Sequence, residues 1–259
     1  MMILKSEIRV SDEYKQVSTT SKGDQTKWKI GNKWVKSDKF GYEGVAEHLS
    51  SKILEFSNIK TPFVKYDIVN IIDNEFSFNG CVSEDFMQDD EIFISLYRLF
   101  FQNRININKL YDGKSTDERI NLTIQLIKEL TRLDITQYLR DIFTLDGLIL
   151  NEDRHLNNIA VILNTKTRQF RICPIFDNGL SLLADTIDFP HQTSVTVNVR
   201  RVKSKPFNSD FKKQMKVLGS GFTVNKEKLK QYIYLNFNSL GRAGEVILYQ
   251  FQQYPEIFV

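Results

Sequence analysis

The spacing of apolar and polar positions changes character along the chain. Up to about residue 84, short apolar runs alternate with turn-forming residues in the manner of strands; beyond it, most of the chain repeats at helical spacing. Thr26–Ile30 and Lys33–Ser37 predict a hairpin around Gly31-Asn32, a dipeptide suited to a turn with positive φ. Tyr42–Phe56 places Val45, Leu49, Ile53, Leu54 and Phe56 at near-helical spacing and predicts one helix. Val64–Ile72 and Glu75–Ser83, rich in Val, Ile and Phe, flank Asp73-Asn74 and predict a second hairpin. The acidic run after Cys81, CVSEDFMQDDE, fits a solvent-accessible connection.

Helices are then expected over Glu91–Gln102, Thr116–Leu133 and Thr136–Leu150, the second capped by Ser115 with Glu118 closing a capping box. In the third, Leu139, Ile142, Phe143, Ile149 and Leu150 form one apolar face, and Asp146 lies on it. A buried lone carboxylate costs several kcal/mol unless paired or hydrogen-bonded, so Asp146 is expected to hold a partner, with the backbone of the following loop the first candidate. Asn158–Asn164 and Gln169–Phe176 predict a third hairpin; residues 191–206 are β-prone and basic; Phe207–Val217, Asn225–Phe237 and Gly241–Tyr254 predict closing helices. No internal repeat is visible. The expectation is an α+β chain of two unequal lobes: a β-rich lobe with one helix over residues 1–84 and a larger, mainly helical lobe over 85–259.

Composition narrows the class. With 259 residues, 41% hydrophobic and 26% charged, and only 12 Gly and 5 Pro, the chain has the profile of a packed globular protein, which excludes disordered and collagen-like classes. Lys and Arg exceed Asp and Glu by 35 to 32, too slight a surplus to announce a nucleic-acid or membrane surface, and no nucleic-acid partner is expected. Cys81 and Cys173 stand apart, without a CxxC or histidine cluster, and are expected free and buried. No apolar run approaches about 18 residues, and the N-terminus turns charged too early for a signal peptide. The expected location is therefore the cytoplasm, or outside the cell without a cleavable signal.

The most informative stretch is Asn151-Glu-Asp-Arg-His-Leu-Asn-Asn158, followed by the third hairpin and then Phe176-Asp-Asn-Gly179. Asp153 and Asn158 stand in the D-x-x-x-x-N interval of phosphotransferase catalytic loops, where the Asp accepts a hydroxyl proton and the Asn binds Mg²⁺. A hairpin returns its ends to one place, so Asp177 can reach the same metal as Asn158, with Gly179 expected to make the turn flexible. His155 can serve as metal ligand, base or loop-ordering residue, the last being favoured; Arg154 can meet a phosphate or brace the loop. On the small lobe, Lys36 ends a strand just before the helix, where a lysine grips ATP phosphates and a helix glutamate orients it. Glu43 and Glu47 lie one turn apart and either can be that partner. Gly23 and its neighbouring hydroxyl residues can form a loop over the phosphates. Glu84, Asp85 and Phe86 fall where the lobes join and are expected to meet the adenine through their backbone. The basic positions Arg200, Arg201, Lys203 and Lys205 can face an acidic protein, a lipid headgroup or only water.

Together these motifs resemble HipA-like serine/threonine kinases over most of the chain, from about Gly23 onward. Gly23-Asp-Gln25-Thr-Lys27 is similar to that family's G-x-Q-x-K phosphate loop, Trp34-Val-Lys36 to its ATP-lysine strand, Asp153-Arg-His-Leu-Asn-Asn158 to its catalytic loop and Phe176-Asp177 to its metal-binding turn. The small size is closer to CtkA-type kinases of Helicobacter. The resemblance implies a two-lobed protein-kinase-like fold and ATP- and Mg²⁺-dependent phosphorylation of protein Ser/Thr hydroxyls. It assigns Gly23, Gln25, Lys27, Lys36 and His155 to the nucleotide. It also implies autophosphorylation in the phosphate loop, among Ser18, Thr19, Thr20 and Ser21, and leaves open delivery to a host as a virulence effector. Phosphoinositide kinases share D-R-H-x-x-N and a D-F-G-type turn, so a lipid kinase is the alternative substrate class; a nucleotide-holding pseudokinase is the non-catalytic one.

Overall fold

The computed structural model describes residues 2–3, 5–16 and 25–259. Gly23 and the four hydroxyl residues at 18–21 lie outside the described residues. The first half of the fold is a six-stranded sheet in the order β1-β5-β6-β4-β3-β2, built from β1 (Ser6–Val10), β2 (Lys15–Gln16), β3 (Lys27–Ile30), β4 (Lys33–Ser37), β5 (Asp67–Asp73) and β6 (Phe76–Glu84). Both expected hairpins form: β3 and β4 turn at Gly31, with φ 56°, and β5 and β6 turn at Asn74, with φ 54°. β1, parallel to β5, and the two-residue β2 were not anticipated; SEIRV buries only Val10, so its sequence carries little strand pattern.

Helix α1 (Glu43–Glu55) packs on one face of this sheet, and two glycines set how closely. A Cβ on Gly44 would fall within 2.5 Å of the Gly80 carbonyl carbon in β6, and one on Gly80 would collide with the carbonyl oxygen of Lys36. Only bare backbone lets the helix settle deep enough to bring its next turn to β4. The opposite face of the sheet buries Val10, Trp28, Val35, Val69 and Ile71 as a small core of its own.

Beyond Glu84 come β7 (Glu91–Ser95), α2 (Leu96–Gln102), α3 (Ile107–Tyr111), α4 (Thr116–Thr131), α5 (Thr136–Ile149), β8 (Ala160–Asn164), β9 (Phe170–Ile172), α6 (Val195–Val199), α7 (Phe211–Leu218), α8 (Lys226–Leu235) and α9 (Phe237–Gln253). The expected helix over Glu91–Gln102 is corrected in its first half. Glu91–Ser95 pairs antiparallel with β8 and buries its end at Ile94 and Ser95; the helix starts only where Ser95 Oγ accepts from the Arg98 N–H. The capping box at Ser115 and Glu118 forms as read. The β-prone stretch 191–206 makes no strand. Its centre is the short helix α6, because buried Asn198 donates to the carbonyls of Pro190 and Thr193 and thereby closes the segment on itself. Helix α9 is interrupted at Gly241, with φ 47°.

The large core gathers around α5, whose Leu139, Ile142, Leu145 and Ile149 are wholly buried, with α7 and α9 packed on it. The fold is α+β and two-lobed, a β-rich lobe with one helix and a larger, mainly helical lobe. Backbone bonds also cross between them: Val64 N–H donates to the Ile175 carbonyl and Ile175 N–H to that of Pro62, which ties the approach to Asp177 to the first lobe.

Candidate active site

Four separate stretches of chain converge on one cavity. Lys36, on β4, points across the sheet to α1, and its Nζ donates to Glu47 Oε1 at 2.7 Å and to Asp177 Oδ1 at 2.9 Å. The choice left open between Glu43 and Glu47 falls to Glu47. Glu43 is occupied by its own turn: its carboxylate accepts from the backbone N–H groups of Lys39, Phe40 and Gly41. Glu47 uses its second oxygen to accept from the Asn178 N–H at 2.8 Å, so one carboxylate holds both the lysine and the turn that carries Asp177. The Tyr66 ring covers Lys36, with Nζ 5.1 Å from its centroid.

The electrostatics follow from burial. Loss of water pushes the Lys36 ammonium down, but Asp177 and Glu47 more than offset this, and the lysine stays charged. Burial likewise pushes the Asp177 carboxyl up, and Lys36 first, then Lys27 and Arg154, hold it well below the usual carboxylate range. Lys27 is pushed down by burial, with Asp177 opposing.

The catalytic-loop candidates are held from beneath. Arg154 is fully buried and forms a fork with Asp146, its Nε 3.1 Å from both carboxylate oxygens and its Nη2 3.0 Å from Oδ1. The expected partner for Asp146, loop backbone, is thus corrected to a guanidinium. Arg154 itself has no surface left for a phosphate: Nη1 donates to the carbonyls of Asn158 and Phe176, and Nη2 to Asn178 Oδ1. One side chain therefore ties helix α5, the 153–158 loop and the 176–178 turn together. Asn158 Nδ2 donates to the Asp153 carbonyl at 3.0 Å, which leaves Oδ1 as the amide's ligand atom. Asp177 takes a left-handed backbone, φ 58°, whereas Gly179 does not; the glycine there gives room, since a Cβ would stand 3.3 Å from Glu43 Cβ. Beside the flexibility expected of Gly179, the structure gives it a second reason, close approach to α1.

Gln25, Lys27, Asp153, His155, Asn158 and Asp177 line this cavity together. His155 Nε2 lies 3.5 Å from Asp153 Oδ2, and its buried Nδ1 has no hydrogen-bond partner among the described residues. The cavity continues into a cleft of about 720 Å³ between the lobes, walled by Lys36, Val64, Tyr66, Glu84, Phe86 and Phe176. Phe86 and Phe93 pack on Phe176 at 5.8 and 5.5 Å between ring centroids. Several backbone groups where the lobes join are already committed: the Asp85 N–H to Asn32, the Met87 N–H to the Asp85 carboxylate and the Phe86 carbonyl to Arg171.

Sequence reasoning passed over Tyr66 and Asn178. Asn178 sits inside the D-N-G signature, where its amide was the available signal; Tyr66 lies in an irregular approach to β5 and carried none.

No family model matches the chain, and no curated protein matches it in sequence. Solved structures do resemble it. The Helicobacter pylori proinflammatory kinase CtkA aligns over 97% of this chain and 95% of its own, with TM-score 0.61 and 13% identity. The Shewanella oneidensis toxin–antitoxin protein HipA, solved with HipB and operator DNA, aligns over 92% of this chain and 62% of its own, with TM-score 0.44 and 11% identity. At such identity the likeness is one of fold: the resemblance to the CtkA kinase carried by the motifs extends to the three-dimensional arrangement, and the chain has a two-lobed kinase-like fold.

Proposed function

We propose that this protein is an ATP- and Mg²⁺-dependent phosphotransferase acting on Ser/Thr hydroxyls of proteins, working as two units, 1–84 and 85–259. The observation that carries the reading is Lys36 joined at once to Glu47 and Asp177, with Asp153 and Asn158 on the wall of the same cavity. In this reading Lys36 and Lys27 neutralise phosphate oxygens, and Gln25 and His155 stand around them; Gly23, outside the described residues, keeps its assignment to the nucleotide from the motif alone. Glu84 and Phe86 border the adenine. Asp153 orients the acceptor hydroxyl and takes its proton as the oxygen bonds to the γ-phosphorus and ADP departs with the bridging oxygen. Catalysis is then mainly positioning and charge neutralisation.

The donor set fits Mg²⁺. An amide oxygen and one carboxylate are hard ligands, few enough to leave places for water and phosphate oxygens. Asn158 and Asp177 would hold the ion, which supplies neutralisation of phosphate charge when bound.

Incubation with labelled ATP, Mg²⁺ and a mixed panel of protein and inositol-lipid substrates tests the reading. Labelled protein Ser/Thr is expected, including the chain's own residues at 18–21; label only in lipid, or none, would overturn it. Replacing Asp177 with Ala is expected to weaken Mg²⁺-dependent nucleotide binding by at least about tenfold, read by calorimetry with and without the metal. Normal Mg²⁺·ATP affinity in that variant would remove Asp177 from the metal site.

A further inference from the structure

The basic stretch before α7 finds its place only in three dimensions. Over Arg201-Val-Lys-Ser-Lys205 burial alternates: Val202 and Ser204 are buried, Arg201 and Lys203 exposed and Lys205 half-buried. This is the signature of an extended segment laid on the surface with every second side chain outward. The segment is fixed from below. Buried Gln214 of α7 donates to Ser204 Oγ and the Lys205 carbonyl, and its own oxygen accepts from the N–H groups of Phe207 and Asn208. At one end Arg201 lies over the Phe189 ring, its guanidinium carbon 5.6 Å from the centroid, and donates to Asn198. At the other end Lys205 Nζ is 3.7 Å from Asp153 Oδ1.

The geometry points to a docking track for acidic acceptor peptides: Arg201, Lys203 and Lys205 form a row of cations that begins beside the proton-accepting carboxylate and runs outward from it. The inference rests on the phosphotransferase reading above and names its substrate class. An extended peptide presents every second side chain on one face, about 6.6 Å apart, and so can set alternate side chains along the track, whose own outward positions are also alternate residues. Acidic side chains flanking the acceptor hydroxyl would meet the row, and the one nearest the hydroxyl would draw Lys205 off Asp153. A chain with net charge of only +3 has no general attraction for acids, so such a preference has to come from local placement.

The test uses the full chain and fluorescein-labelled Ser peptides flanked at alternate positions by Glu, by Gln or by Lys, with binding read by anisotropy and phosphorylation read separately. The Glu peptide is expected to bind about tenfold more tightly than the Gln peptide, since charge complementarity at an exposed face is modest. The advantage should shrink as ionic strength rises from about 0.01 M to about 0.15 M, where the screening length falls from about 30 to about 8 Å. Lys203→Gln should remove about a third of that advantage on a logarithmic scale and Lys203→Glu about two thirds, since one of three cations is neutralised or reversed, and thermal melting checks that both fold. Equal binding of Glu and Lys peptides, or an unaltered preference in both variants, would overturn the track. So would binding confined to vesicles containing phosphorylated inositol lipid. Acid-selective binding without phosphoryl transfer to any substrate would keep the track and refute the phosphotransferase reading instead.

Discussion

Replacing Arg154 with Met is expected to destabilise the protein by about 3–5 kcal/mol, the cost of leaving a buried charge without its partner. Asp146 is wholly buried on the apolar face of α5, and the guanidinium fork is its counter-ion. The remaining donors of Arg154 hold the carbonyls of Asn158 and Phe176, so the substitution strips buried acceptors on both site loops as well. Chemical denaturation of the single variants and of the Arg154→Met/Asp146→Leu pair measures the terms apart. The pair should be more stable than Arg154→Met alone, because the orphaned carboxylate is gone, yet remain below the parent because the loop carbonyls stay unpaired. Arg154→Lys should recover only part of the loss, since an ammonium cannot make the fork. A stability change under about 1 kcal/mol in Arg154→Met would show that the fork is not what holds the loops.

How much of this was legible beforehand depended on whether the signal was local. The β3–β4 turn, the Ser115 capping box and the amphipathic stripe of α5 are short-range and read correctly. The presence of Asp146 on that stripe correctly demanded a partner, but which group would supply it depended on how the 151–158 loop folds back, a tertiary fact. The same holds for Glu47. One helical turn separates it from Glu43, and spacing alone treats the two alike; what distinguishes them is that Lys39–Gly41 turns its N–H groups onto Glu43, leaving Glu47 to face β4. Ile92-Phe-Ile94 is a short continuous apolar run that reads equally as strand or helix beside the helical pattern that follows, and strand pairing with β8 settled the outcome. Residues 191–206 failed in the reverse sense: β-branched composition yielded to the hydrogen bonds of one buried asparagine.

Asp153→Asn should lower the turnover for phosphoryl transfer by about 10²–10⁴-fold, the range for loss of a positioned proton acceptor, while Mg²⁺·ATP affinity stays within about twofold. The separation of the two effects stems from the arrangement. Asp153 reaches the cavity from the 153–158 loop, with His155 and Lys205 at its two oxygens, whereas in the proposed reading Lys36 and Lys27 neutralise the nucleotide's phosphates and Asp177 would hold the metal. An amide of the same shape keeps the loop's backbone bonds, including the Asp153 N–H to Asn151 Oδ1 and the Asp153 carbonyl to Asn158, while it removes the charge and exchanges one acceptor oxygen for an NH₂ donor. Single-turnover transfer and fluorescent-nucleotide titration on the same preparation read the two quantities. Loss of both together would mean that Asp153 supports nucleotide binding and that its role had been misassigned. Unchanged turnover would mean that the hydroxyl is activated elsewhere. A loss confined to turnover, set beside an Asp177→Ala variant whose loss lies in metal-dependent binding, would divide the two carboxylates between acceptor and nucleotide, the division on which the proposed function rests.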